Sequence, residues 1–399
     1  MRRTGPQNYQ RNTLIACCGA HAIQDGLVAL HYVLLPILAQ TFGLNYAQVG
    51  LLRGLGYTAT VLLEIPSGLL AEKTGERPLI LFGLICAGLG YLGIAFSHTF
   101  LAIAFFFLVA GIGAGFQHSL SSSVLVHSFE GAGRRRALGH YNSAGDGGKL
   151  GFTALFSVAV GAGIGWNWTV VMMAVAAMLF ALLVYKLIHS GVPLHGDSND
   201  ASSIAHGSRW GVLSTRRFSA LGCVVFLDST IQAVFLTFLA FLLIHKGGSE
   251  LIATMGVVLA LGGGMVGKFL CGYLAVRIGD RATFVLIQLL TIVGICALIL
   301  LPLSIVVMLL PLIGLVVQGS STVTYGAVAD FVAPQRQARG YALIYSVSNG
   351  ASIAGPLLFG MLADRGGLEL AMWILALLAL ITIPFAAVLA RQDLLQQTA

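Results

Sequence analysis

This chain has little charge. Lys and Arg number 22 and Asp and Glu 15 in 399 residues, so 9% of positions are charged, against about a quarter in soluble domains. With 57% hydrophobic residues and a mean hydropathy of +0.89, a soluble globular protein is excluded. No G-x-x-x-x-G-K-[ST] run is present, which argues against direct nucleotide drive. The serines Ser121 to Ser123 lack an elbow motif and the histidines lack a nucleophile to activate, so no catalytic residues and no enzyme are expected. All six cysteines fall inside apolar stretches without ligand spacing; they read as small packing residues, and neither a metal site nor a cofactor is expected.

What is present is a succession of apolar runs, each long enough to cross about 30 Å of hydrocarbon as a helix. Twelve are read at 13–40, 46–71, 78–97, 99–125, 138–162, 165–187, 217–245, 251–275, 283–301, 303–329, 338–363 and 368–390. The first is too long for a signal peptide and carries His21 and Asp25 in its middle, so it counts as helix 1. With the N-terminus inside, seventeen of the 22 basic residues fall on the cytoplasmic side, which predicts both termini in the cytoplasm. The net charge of +7 then reflects topology, and no nucleic-acid partner is expected.

Against this background, ionisable residues at membrane depth stand out: Asp25, Glu64, Asp146, Asp228, Arg53, Lys149 and Lys268. Each costs several kcal/mol (about 2.5 to 3.5) unless it meets a partner or a wet cavity. His21 and Asp25 share a helix face and read as a proton-responsive pair, or else as a polar pair fixing helix packing. Asn142, Asp146 and Lys149 line one face of helix 5, with Gly147 and Gly151 as a small-residue surface beside them; Gly263 and Gly267 beside Lys268 repeat the pattern on helix 8. Asp228, with Gln232 one turn on, either carries a second proton or pairs with Lys268. Arg53, near the outer end of helix 2, is expected to snorkel to the interface. Glu64 precedes Pro66 and reads as a gate residue. His118, and Tyr345 and Asn349 on helix 11, add polar faces suited to a ligand.

The longest polar stretch, 188–214, divides the chain into bundles at 1–187 and 215–399. The halves also echo each other. Gly68, Gly75, Glu76 and Arg77 recur 204 residues later as Gly272, Gly279, Asp280 and Arg281, and Asp25 precedes Asp228 by 203. Parallel repeats of six helices mark transporters whose halves rock about a central site.

The segment Gly68 to Arg77 resembles the loop motif G-x-x-x-D-[RK]-x-G-R-[RK] of the major facilitator superfamily, with Glu72 in the acid's place and Val276 there in the second copy. The resemblance spans the whole chain. It implies an all-α fold of twelve transmembrane helices in two pseudo-symmetric six-helix bundles. It also implies that Gly68 lets helix 2 approach helix 11, that Glu72 and Arg77, with Gly272 and Arg281 in the second copy, serve gating, and that helices 5 and 8 meet across the cleft. Within the superfamily, His21-x-x-x-Asp25, His118 followed by Ser121 and Ser122, and the glycine-rich Asn142 to Gly151 are similar to the fosmidomycin-resistance branch of exporters. Leu120 and Asp146 depart from that branch, and Phe107 stands where multidrug antiporters carry an arginine.

The expectation is a monomeric, proton-coupled antiporter exporting a small polar or anionic organic compound, in contact with substrate, protons and membrane lipid. Proton coupling is assigned to His21, Asp25, Asp146 and Asp228. Substrate binding is assigned to His118, Asn142, Lys149, Gln232, Lys268, Tyr345 and Asn349, and gating to Arg53, Glu64, Gly68, Glu72, Arg77, Gly272 and Arg281. An uptake symporter and a non-transporting membrane sensor are the alternatives.

Overall fold

The computed structural model describes residues 6–188, 212–333 and 337–389. Most of the linker, the extreme termini and Arg336 therefore lie outside the described residues. The chain folds into thirteen α-helices: α1 (Pro6–Phe42), α2 (Tyr46–Thr74), α3 (Glu76–Ala95), α4 (Phe100–Gly115), α5 (His118–Ser128), α6 (Gly131–Gly161), α7 (Trp166–Leu187), α8 (Thr215–His245), α9 (Glu250–Ile278), α10 (Asp280–Leu300), α11 (Leu303–Ala327), α12 (Gln337–Gly366) and α13 (Leu368–Phe385). Because α4 and α5 form one span, these are twelve crossings. Among the described residues no strand forms, only an isolated bridge between Val212 and Val332. Helices satisfy every backbone donor within one segment, which hydrocarbon demands.

Ten of the crossings are apolar enough to span a membrane by length and composition alone. The other two, α2 and α6, carry Arg53, Glu64, Asp146 and Lys149. Large apolar side chains are widely exposed, among them Leu101 at 78%, Met308 at 79% and Val276 at 87%. In water such a surface would aggregate; here it faces lipid.

Two compact units form. One contains α1, α2 from Leu52 onward, and α3 to α7; the other contains Leu44–Leu51 and α8 to α13. The first has a core around Leu84, Phe116, Leu120, Tyr141 and Val184. The second packs Leu221, Val224, Phe284, Val323 and Ile344. The repeat extends to the backbone: Gly75 and Gly279 have φ of 79° and 84°, at the junctions of α2 with α3 and of α9 with α10. Side chains other than glycine's rarely adopt that conformation. In the second unit, the start of α2 is held by Asp364, whose Oδ1 and Oδ2 accept from the backbone N–H of Tyr46 (2.8 Å) and Ala47 (2.9 Å).

The fourth span differs from expectation by breaking. Following Gly111, Gly113 and Gly115, the N–H groups of Phe116 and Gln117 bond three residues back, a tightened turn that ends α4. His118 therefore opens a new helix. The packing glycines also differ from those expected. Nothing lies within 4 Å of a Cβ at Gly147 or Gly151, whereas one at Gly148 would stand 1.9 Å from the Ala22 carbonyl oxygen. The close face of α6 is thus Gly145 and Gly148, against α1. In the second unit, Gly263 and Gly267 of α9 meet the Pro311 and Leu315 carbonyls of α11.

Candidate functional site

Close approach of α6 to α1 is what assembles the main polar cluster. A Cβ at Gly145 would lie 2.5 Å from the His21 ring and 2.9 Å from Asp25 Oδ2, so glycine there admits both side chains. Asp25 and His21 are 6% exposed. Lys149 Nζ lies 3.0 Å from Asp25 Oδ2 and 3.3 Å from Asp146 Oδ1, bridging the two acids. His21 Nε2 is 3.3 Å from Asp25 Oδ2, and His118 Nε2, brought in by the break before α5, is 3.5 Å from Oδ1. The side chains of His118, Lys149 and Asp146 are 41%, 34% and 22% exposed. The cluster is therefore exposed on one flank, at His118 and Lys149, and buried at Asp25.

Two features bear on its chemistry. His21 Nδ1 is 2.8 Å from the Tyr141 carbonyl oxygen, a contact that only an N–H satisfies. The ring is stacked on Tyr141 at 3.9 Å and cannot turn away, so its Nε2 faces the carboxylate and attracts it only when it too carries a proton. Second, two carboxylates face one ammonium. Protonation of either imidazole therefore changes how strongly Asp25 holds that ammonium. His21, Asp25 and His118 also bring three donor atoms within 4.8 Å of one another, a set suited to a metal, but the Lys149 ammonium already sits against the shared carboxylate.

Asp228, the counterpart of Asp25 in the repeat, is 2% exposed and has a different environment. Gln232 Nε2 donates to its Oδ2 (2.9 Å), Gln288 Nε2 to its Oδ1 (2.9 Å) and Ser320 Oγ to its Oδ2 (3.0 Å). Neutral donors thus meet both oxygens of the carboxylate, for which a second proton or a Lys268 partnership is the expectation. Further along the second unit, Ser348 joins Ser229 and Tyr325, each at 2.8 Å. Tyr345 stacks obliquely on Tyr325 at 5.0 Å, and Asn349 is partly buried one turn on. Asn142 is exposed on α6.

The residues expected to gate divide. Arg77 donates through Nε (2.8 Å) and Nη2 to the Tyr185 carbonyl and lies over that ring. Glu72 and Arg281 are exposed, and Glu64 is partly exposed. The position of a Cβ on Gly68 is open, while one on Gly272 would touch Thr322. The buried acid of the first loop motif is Glu76, which accepts from Ser123 (3.0 Å). Arg53 does not snorkel: it is 1% exposed, donating through Nη2 to Tyr32 Oη (2.6 Å) and lying over the rings of Tyr32 and Tyr57.

The sequence profile of the Major Facilitator Superfamily matches residues 17–267 and 221–396. The chain belongs to the major facilitator superfamily. Along nearly its full length this transporter is similar to the "Uncharacterized MFS-type transporter YfnC" of Bacillus subtilis (strain 168), at 27% identity over 96% of this chain and 93% of that protein. Over a shorter segment it is 34% identical to "Tetracycline resistance protein, class G" of Vibrio anguillarum, covering 32% of this chain and 34% of the relative. A match to "Quinolone resistance protein NorB" of Staphylococcus aureus (strain Newman) is 26% identical over 37% of this chain and 32% of the relative. The chain thus spans about a third of each resistance protein. Its fold matches a bacterial homologue of the human lysosomal transporter Spinster (TM-score 0.78, 18% identity, 95% of this chain and 96% of that one). It also matches a mutant form of the nucleoside transporter NupG (TM-score 0.79, 14% identity, 96% and 100%). As a facilitator-superfamily member it is a multi-pass membrane transporter of small molecules, and not an enzyme.

Sequence reasoning missed several residues of the site: Tyr141, which fixes the His21 tautomer; Gly145 and Gly148, which admit the cluster; and Tyr32 and Tyr57, which enclose Arg53. A signal existed for one of them. Arg53 and Tyr57 are four apart on α2, a spacing that stacks a cation on an aromatic ring.

Proposed function

We propose that this transporter is a proton-coupled antiporter of the bacterial inner membrane, monomeric and with cytoplasmic termini, that exports a small polar or anionic organic compound by alternating access. On His21, Asp25, His118 and the stretch Asn142 to Gly151 it is similar to the fosmidomycin-resistance branch of exporters. The observation that carries the reading is the crowding of ionisable groups in the α1–α6 cluster, where Asp25 and Asp146 both contact Lys149 and two imidazole nitrogens face Asp25. The His21 nitrogen attracts that carboxylate only when the ring takes up a proton. A proton arriving through the exposed flank at His118 reaches Asp25 by way of an imidazole, and Lys149 is then free to lean on Asp146 or on an anionic ligand. Loss of the proton returns Lys149 to Asp25. Proton and anionic substrate thereby alter each other's hold on the same lysine, the coupling an exchanger needs. The resistance proteins among the relatives support the outward direction.

Everted vesicles test this. An acid-inside gradient should drive accumulation of substrate in vesicles carrying the wild-type protein and not in those carrying Asp25→Asn. Accumulation driven only by the opposite gradient would mean uptake symport, and gradient-independent equilibration in the wild type would remove proton coupling altogether.

A further inference from the structure

Arg53 is the one described membrane-buried cation in the first unit outside the Asp25 cluster, and the proton chemistry proposed above does not use it. It lies 1% exposed in α2, and no carboxylate is paired with it among the described residues. Its Nη2 is satisfied by Tyr32, but Nε and Nη1 are buried with no hydrogen-bond acceptor. A guanidinium cannot shed its charge, so a full positive charge and unfilled donors stand inside the bundle. Two tyrosine faces, at 4.7 and 4.2 Å from the guanidinium carbon, offset part of the charge. Beside it His31 Nε2 is likewise buried without a partner, His31 being fixed by Val28 O at 2.5 Å and stacked on Phe107 at 4.6 Å. Tyr57 is partly exposed, so it forms the movable side of the enclosure.

We infer that Arg53 is the anchor for an oxyanion, a carboxylate or phosphonate on an organic substrate, bound by the open edge of the guanidinium once Tyr57 swings aside. Planar and tetrahedral oxyanions both offer the paired acceptors that this fork lacks. The inference rests on the transport reading and narrows its substrate class.

The test is thermal unfolding of the purified protein in uncharged detergent with three probes of one aromatic body, benzoate, phenylphosphonate and benzylamine, and separately with added phosphatidylglycerol. Benzoate or phenylphosphonate at saturating concentration should raise the wild-type Tm by about 2–4 °C, with benzylamine silent. Arg53→Met should lose that response while its own Tm without ligand stays level or rises, since an unpaired buried charge has been removed. Arg53→Lys, which keeps the charge and loses the fork, should weaken the response about tenfold in concentration. The inference is overturned if neither anion acts on the wild type, if Arg53→Met responds as the wild type does, if only benzylamine stabilises, or if phosphatidylglycerol alone does, which would make the site a lipid headgroup's. Proton-driven exchange through Asp25 is read separately in vesicles, so the transport reading survives failure of this one.

Discussion

Replacing Gly148 with alanine tests whether the α1–α6 contact builds the proton site. A Cβ there would stand 1.9 Å from the Ala22 carbonyl oxygen, which is backbone and cannot swing away. Restoring an ordinary contact of about 3.3 Å requires α6 to retreat by about 1.4 Å, and overpacking of that kind costs about 1–3 kcal/mol. The same retreat carries Lys149 from 3.0 Å to about 4.4 Å from Asp25, past ion-pair contact. At an effective dielectric near 20 the attraction falls from about 5.5 to about 3.8 kcal/mol. Because Lys149 is 34% exposed, solvent screening reduces the loss to about 1 kcal/mol, or about five-fold in the coupling equilibrium. Gly148→Ala should therefore lower Tm by about 2–10 °C and reduce gradient-driven exchange about five-fold in reconstituted vesicles. Gly147→Ala and Gly151→Ala, where open space surrounds the new methyl group, should stay within about 0.5 kcal/mol of wild type and transport normally. If Gly148→Ala matches the wild type in both assays, or if all three variants are impaired alike, the contact does not build the site.

Three further outcomes follow from the geometry. Asp364→Ala removes both acceptors from the first N–H groups of α2 and should destabilise by about 1–2 kcal/mol, with hydrogen exchange quickened at Tyr46 and Ala47; unchanged exchange there would show that solvent already serves those donors. Asp228→Asn turns an amide N–H toward Gln232, Gln288 or Ser320 and should cost about 1–3 kcal/mol in thermal unfolding; a neutral result would mean the carboxyl is protonated and already donating. Arg77→Lys keeps the charge but loses the two-nitrogen grip on Tyr185 O and the stacking on its ring. It should cost about 1 kcal/mol, measured as a Tm shift that equals that of Arg77→Gln if geometry rather than charge is at work.

The fold was legible because hydrocarbon leaves few options. Twelve apolar runs, a basic bias on one side and a repeat at an offset of 204 residues leave little room for another architecture, and Gly75 and Gly279 are readable because their positive φ excludes other residues. Intramembrane charge pointed to Asp25, His21, His118 and Lys149 for a similar reason. What sequence could not supply is the partner of each charge. Helix periodicity fixes which residues share a face but not the rotation of that face about the axis. Two neighbouring glycine pairs, Gly147 with Gly151 and Gly145 with Gly148, look equivalent until the neighbour of each is known. Arg53 shows the same limit: its position near a helix end suits an interfacial side chain, and only the tyrosines around it reveal that it turns inward. The break before His118 was hidden because glycines at 111, 113 and 115 are compatible with a close-packed helix as well as with its termination.

The two halves carry one acid each at matching places in the repeat, and their surroundings argue for unequal work. Asp25 sits among three basic groups and shares a lysine with a second acid, so its contacts change whenever one proton is added or removed. Asp228 is met by two amide N–H groups and a hydroxyl, neutral groups whose own charge does not vary with pH. A group that must exchange protons with each cycle needs competing charges and an open flank; a group that must hold helices α8, α10 and α11 in register needs neutral donors and burial. On the proposed reading, Asp25 would carry the coupling proton and Asp228 would be the fixed post of the second bundle: Asp25→Asn should abolish gradient-driven exchange with little loss of Tm, while Asp228→Asn should lower Tm and leave the coupling ratio of the remaining activity intact. Loss of coupling in Asp228→Asn at unchanged Tm would reverse the assignment of roles.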